Sequence, residues 1–373
     1  MRYLQPLIEK DLPRKMVFLG GPRQCGKTTL AKGLLAHTPG RYLNWDFDED
    51  RQEVLKKRWS AKDELLVFDE LHKFPRWKNW IKGNFDKDRD KHQFLVTGSA
   101  RLDVYRRGGD SLLGRYHYWR LHPFTLSEIP KGITPRNALM RLMTVGGFPE
   151  PFLDNNDNEA RRWRKDRYDR VLRDDVRDLE PLKDIQTLSL LVDQLRRRVG
   201  SPIVVSNLAG ELQVAPQTVK HWLEVLERMY LIFIVQPYSK NLPRAVLKPP
   251  KIFFFDNADV IGDEGARFEN LVATHLLKRI QFLEDSQGFR YELRYVRDKE
   301  GHEVDFVVLK DGVVDELIEA KYADGEISRS LKYFTERLKP RRARQVVFDL
   351  KREYSSGQIH VENPLTALTA LKP

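Results

Sequence analysis

Four apolar residues, Met16-Val17-Phe18-Leu19, run into Gly21-Pro22-Arg23-Gln24-Cys25-Gly26-Lys27-Thr28, and a helical pattern, Thr29-Leu30-Ala31-Lys32-Gly33-Leu34-Leu35, follows. A strand, then GxxxxGK with Ser or Thr, then a helix is the context that a phosphate-binding loop requires. Glycines let the backbone turn its N–H groups inward, and the helix that starts there adds its positive end. The spacing therefore predicts Gly21, Pro22, Arg23, Gln24, Cys25, Gly26, Lys27, Thr28 and Thr29 as a nucleotide cradle. Lys27 is expected to reach the β and γ phosphates, and the Thr28 hydroxyl to hold Mg²⁺.

A second run, Glu64-Leu65-Leu66-Val67-Phe68-Asp69-Glu70, reads as a buried parallel strand that presents two carboxylates at its end. Asp69 would support the Mg²⁺ shell and Glu70 would polarise the attacking water, a pairing that points to ATP hydrolysis rather than to binding alone. The remaining numbers set limits. A chain of 373 residues exceeds one small domain, and a net charge of +11 favours a polyanionic partner. The single cysteine, Cys25, excludes an internal disulfide framework and fits a reducing cytoplasm. The charged N-terminus has no signal-peptide core, and no stretch approaches the roughly 18 uninterrupted apolar residues of a membrane helix.

The third strand, Gln93-Phe94-Leu95-Val96-Thr97-Gly98-Ser99-Ala100, ends in small hydroxylated residues, and with the two motifs before it the chain resembles the AAA+ ATPases. That resemblance implies a polar γ-phosphate sensor here, Ser99 or Thr97. It also implies an arginine reaching a neighbouring subunit's site, for which Arg115 in Asp110–Arg115 stands against the simpler alternative of a local salt bridge. Arg101, Arg106 and Arg107 are weaker candidates, and Cys25 at this position raises the expectation of an oxidation-sensitive loop.

Residues 131–200 read as a charge-dense helical lid, opened by the turn Gly146-Gly147-Phe148-Pro149-Glu150. Arg161 or Arg164 is a candidate nucleotide contact, although a solvated face suits most of these charges. From 201 to 257 a capped helix, a turn, a second helix opened by Pro216 and two β-rich runs spell a winged helix. Val219, Leu223 and Leu226 form the inner face, which leaves Gln217, Thr218, Lys220 and His221 as DNA-contact candidates.

In residues 258–373, Glu269 on a helix, Asp305 on one strand, and Glu319 and Lys321 on the next resemble the PD-(D/E)XK nuclease fold. The resemblance implies carboxylates holding a second Mg²⁺ and a lysine that helps activate water. Over nearly its whole length the chain is similar to prokaryotic AAA+ ATPases with a nuclease-like C-terminal domain. The expected architecture is α/β: an AAA+ core (1–130), a lid, a winged helix and the nuclease-like domain. The expected activity is an ATP-driven motor on duplex or branched DNA, working as a homo-oligomeric, hexameric ring in the cytoplasm and away from membranes. An ATP-gated Mg²⁺-dependent nuclease and an ATP-driven switch indifferent to DNA are the alternatives.

Overall fold

Apolar runs with no polar face are stable as strands only when both faces are covered, the situation of a parallel sheet between helices. The computed structural model describes residues 2–98, 112–172, 184–239, 248–323 and 326–371. In it β1 (Met16–Gly20), β2 (Gly40–Asn44), β3 (Leu65–Asp69), β4 (Gln93–Thr97) and β5 (Tyr116–Arg120) form one sheet in the order β2-β3-β4-β1-β5. Every neighbouring pair is parallel, so the C-terminal ends of β1, β3 and β4 lie side by side, with Thr97 in register with both Leu19 and Asp69. Ligands bind at that edge of open parallel sheets. β1 and β3 are buried throughout, and Phe18, Phe68, Phe85, Phe94 and Trp77 make an aromatic core beneath them. Each such side chain contributes about 1.5–3 kcal/mol by burial, which anchors the strands whose ends carry the polar groups.

Met1–Pro123 forms one compact unit and Phe124–Pro373 a second. In the second, helices Pro135–Thr144, Pro149–Asp154, Asp157–Arg170 and Ile185–Arg196 precede a helix pair, Val205–Leu212 and Pro216–Arg228. Val219, Trp222, Leu223, Val225 and Leu226 are buried on the latter helix, as its spacing predicts apart from the added Trp222 and Val225. β6 (Ile232–Pro237) and β7 (Lys251–Phe254) pair antiparallel. Then come helix Glu264–Gln287, β8 (Tyr291–Arg297), β9 (Glu303–Lys310), β10 (Val313–Lys321), β11 (Arg342–Val347), β12 (Tyr354–Ser356) and β13 (Ile359–Glu362). These strands and the β6–β7 pair make one eight-stranded sheet, β12-β13-β11-β10-β9-β8-β6-β7, because β6 also pairs in parallel with β8 at Gln236–Arg294. The two β-rich runs expected as a separate wing are therefore continuous with the C-terminal sheet.

Two buried polar devices hold this unit together. Asn270, fully buried, accepts from Phe254 N (2.8 Å) and donates to Phe254 O (3.1 Å), which completes the backbone bonding at the end of β7. Arg167 is buried with its guanidinium 4.0 Å over the Phe148 ring and Nη1 3.3 Å from Asp259 and 3.8 Å from Asp256. Gly146, at φ +85°, passes so close to Asp256 that a Cβ there would lie 1.9 Å from its carboxylate. The Gly-Gly-Phe-Pro turn thus supplies both the clearance and the aromatic face for this ion network. Arg161 instead bonds Asn158 on an exposed helix face.

His275 carries a pH prediction. Its Nε2 accepts from Leu126 N (2.9 Å) and its Nδ1 faces Leu271 O (2.8 Å), an arrangement that needs the neutral ring. Burial pushes its pKa from 6.5 down to about 3. A folded pKa below the unfolded one stabilises fully above about 6.5 and is lost as pH falls, so moving from pH 7 to 5 costs about 2 kcal/mol. Urea titrations at the two pH values should show this loss and a smaller one in His275→Gln. Equal losses in the two proteins would remove His275 as the cause. Among the described residues, no helix is long and apolar enough to cross a membrane.

Candidate active site

The phosphate loop bends where its backbone demands it. Gly21 (φ +139°) passes 2.3 Å from Leu121 O at its hypothetical Cβ, and Gly26 (φ +98°) opens helix Lys27–Leu35 in the left-handed region. Lys27 is buried and donates to Gly21 O (2.9 Å) and Pro22 O (2.7 Å), so the ammonium fills its own loop. Arg2 donates to Cys25 O (2.7 Å), a brace from the N-terminal segment that no motif announced. Cys25 itself corrects an expectation: it is fully buried, its thiol 3.4 Å from Leu121 O, which is the setting of an inert structural thiol rather than an oxidation-prone one.

Asp69 gathers three hydroxyls. Thr28 Oγ1 donates to Oδ2 (2.9 Å), Tyr42 OH donates to the same oxygen, and Thr97 Oγ1 donates to Oδ1. The structure thus brings Lys27, Thr28, Asp69 and Thr97 together at the strand ends. A hydroxyl and a carboxylate in contact beside backbone amides are the oxygen donors that Mg²⁺ of a nucleotide complex uses, so the residues fit that ion. Glu70 follows in a left-handed conformation (φ +56°), a strain that the surrounding structure must hold in place. Its Oε2 is buried without a hydrogen-bond partner among the described residues, 3.5 Å from His72 Nε2 and 3.8 Å from Lys73 Nζ. Burial pushes the Glu70 carboxyl up, while Lys27 and Arg23 pull it back only in part. A carboxylate kept basic by burial is suited to take a proton from water.

Tyr42 on β2 carried no sequence signal, because a tyrosine on a half-buried strand is ordinary. Burial and the Asp69 contact raise its pKa, so it stays a donor. It competes with any metal-bound water for Asp69 Oδ2. In Tyr42→Phe the Mg²⁺ concentration that half-saturates ATP turnover should fall about threefold to tenfold, the equivalent of one hydrogen bond, at nearly unchanged maximal rate. An unaltered Mg²⁺ curve would show that the contact has no bearing on the ion.

Arg115 forms a two-pronged pair with Asp86 (2.7 and 3.1 Å). Its carbonyl meets Met16 N at the start of β1, the end of the sheet opposite the phosphate loop. Within the chain it makes a local salt bridge. Ser99, Arg101, Arg106 and Arg107 lie outside the described residues. On helix Pro216–Arg228, Gln217 and Lys220 are exposed and Thr218 and His221 half-buried.

The C-terminal residues also converge, around a group that sequence reasoning missed. Lys251 Nζ, at 1% exposure, sits 2.7 Å from Glu303, 3.2 Å from Glu269 and 3.5 Å from Asp305. Burial works against its charge, but Glu269, Asp305 and Glu303 outweigh that and hold its pKa above the usual range. Glu319 Oε1 pairs with Lys321 Nζ at 2.8 Å. Burial first, then Asp305, push both Glu269 and Glu319 upward.

With this geometry in view, similarity to known proteins adds a class. Residues 13–130 match the AAA domain family, and they form an AAA-type P-loop ATPase domain. Residues 136–258 and 264–368 match two domains of unknown function, DUF8612 and DUF4143. The chain is 25% identical over 243 residues to an uncharacterized protein of Mycobacterium tuberculosis, covering 65% of this chain and 54% of that one. It is 24% identical over 356 residues to an uncharacterized protein of Methanocaldococcus jannaschii, covering 86% and 77%. The chain spans about half the length of the mycobacterial relatives it matches. Among solved structures, unliganded Pif1 from Bacteroides sp is similar at a TM-score of 0.23 and 15% identity, covering 41% of this chain and 48% of that one. The signal transduction ATPase with a tetratricopeptide repeat sensor from Pyrococcus horikoshii is similar at 0.29 and 15%, covering 77% and 47%.

Proposed function

We propose that this chain is a DNA-dependent ATPase that works as an oligomeric ring on duplex or branched DNA. The observation that carries the DNA half is the helix Pro216–Arg228: its apolar face is buried while Gln217 and Lys220 near its N-terminus stay exposed, on a chain of net charge +11. With the helix before it and the β6–β7 pair after it, the segment has the layout of a winged helix, whose second helix enters the major groove. The division proposed is an ATPase core to 130, a lid to 200, this winged helix to 257, and a nuclease-like fold beyond.

In the hydrolytic cycle, Lys27 exchanges its loop carbonyls for β and γ phosphate oxygens. Glu70 Oε2 orients a water for attack and takes its proton. Thr28 and Asp69 would hold Mg²⁺, which would supply charge neutralisation on the phosphates.

Steady-state ATP turnover with duplex, single-stranded and four-way junction DNA tests the reading. Turnover should rise on one of these, and binding should weaken steeply with salt. Lys220→Ala should lower the slope of log affinity against log salt by about one. Turnover indifferent to every DNA would sink the motor and favour an ATP-driven switch with the same segment as a protein-docking surface.

A further inference from the structure

We infer that the carboxylate centre of the C-terminal sheet is a metal-free ionic fastening, with the Lys251 ammonium standing where the resemblance to nucleases would put a divalent ion. A centre of that kind needs carboxylate oxygens directed at one empty point. Here the donors of the protein have taken most of them. Asp305 Oδ1 faces Lys251 (3.5 Å) and its Oδ2 accepts from Ala320 N (2.9 Å). Glu319 Oε1 pairs with Lys321 (2.8 Å) and its Oε2 faces Asp305 N (3.4 Å). Glu269 Oε1 accepts from Lys251 (3.2 Å), and Glu303 divides its oxygens between Lys251 (2.7 Å) and Arg297 (3.4 Å).

A cation within reach of three carboxylates repels a second cation, and this one is tethered. Lys251 begins β7, whereas Glu269 lies on the helix Glu264–Gln287 and Glu303 and Asp305 on β9. The ammonium therefore ties the edge strand of the sheet to both its covering helix and β9. The left-handed Gly200 closes over Glu269: a Cβ there would lie 2.4 Å from its Oε2. Among the described residues, the group whose candidate ligand atoms come within 4.8 Å of one another is elsewhere, at Asp298, Glu300 and His302.

The full chain, free of nucleotide, is titrated with Mn²⁺ and bound ion is counted by electron paramagnetic resonance, beside Asp305→Asn and Lys251→Met. The wild type and Asp305→Asn should bind equal amounts of Mn²⁺, because the centre takes none. Lys251→Met should gain one ion per chain, a gain lost when Asp305→Asn is added, and its melting temperature should rise on adding Mn²⁺ more than that of the wild type. Neither wild type nor Asp305→Asn should nick supercoiled DNA with Mg²⁺ or Mn²⁺. If Lys251→Met does not fold, the first comparison decides alone. Mn²⁺ bound by the wild type and lost in Asp305→Asn, or nicking that disappears in that variant, overturns the inference.

Discussion

Replacing Glu70 with Gln should lower ATP turnover by about 10²–10⁴-fold, the usual contribution of a positioned general base, while nucleotide binding persists. That range corresponds to about 2.7–5.4 kcal/mol of barrier. The amide keeps the size of the side chain but cannot take a proton, and the buried Oε2, which makes no hydrogen bond among the described residues, is where that ability matters. Lys27→Ala is the contrast, since it removes the ammonium that must meet the phosphates and should abolish binding itself. Fluorescent-nucleotide binding and turnover measured on the same preparations separate the two effects. If Glu70→Gln retained more than about a tenth of the wild-type rate, Glu70 would not be the base, because loss of proton transfer costs more than that. His72, with Nε2 3.5 Å from Glu70 Oε2, would then be the next candidate.

The difference between what was legible in the sequence and what was not follows sequence separation. The loop from Gly21 to Thr29 and the Asp69-Glu70 strand end were readable because each is a contiguous segment whose chemistry and geometry coincide. The Lys27–loop contacts span six residues or fewer. Tyr42 reaches Asp69 across 27 positions and Arg2 reaches Cys25 across 23, with nothing local to mark either. Arg115 followed the same rule: its contact with Asp86, 29 residues earlier, has nothing local to mark it. Lys251 was hidden differently. In a Lys-Pro-Pro-Lys run a lysine reads as solvated, and only the meeting of three elements buries it to 1% exposure. The helices of the proposed winged helix were legible from their periodicity, but the continuation of β6 into β8 depends on a pairing made 58 residues downstream at Arg294.

Arg167→Met should destabilise the second unit by about 3–5 kcal/mol, the cost of leaving a buried charge without its partner. The argument rests on what remains behind. Asp256 and Asp259 are both fully buried, and Asp256 Oδ2 and Asp259 Oδ1 have no hydrogen-bond partner among the described residues even with the arginine in place. Burial, then the Asp259 charge, already push the Asp256 carboxyl upward, and Arg167 is the first of the groups that restrain it. Methionine restores the volume over Phe148 but not the charge, so packing alone cannot hide the effect. Hydrogen exchange of the amides in helix Glu264–Gln287 reads the second unit by itself, because protection there reports opening of that unit. Protection should fall by the equivalent of the lost stability in Arg167→Met and recover in part when Asp259→Asn removes the orphaned charge. If the double variant were as unstable as the two single losses added together, Arg167 and Asp259 would not act as a pair, and the Gly146–Phe148 turn would owe its form to packing rather than to this ion network.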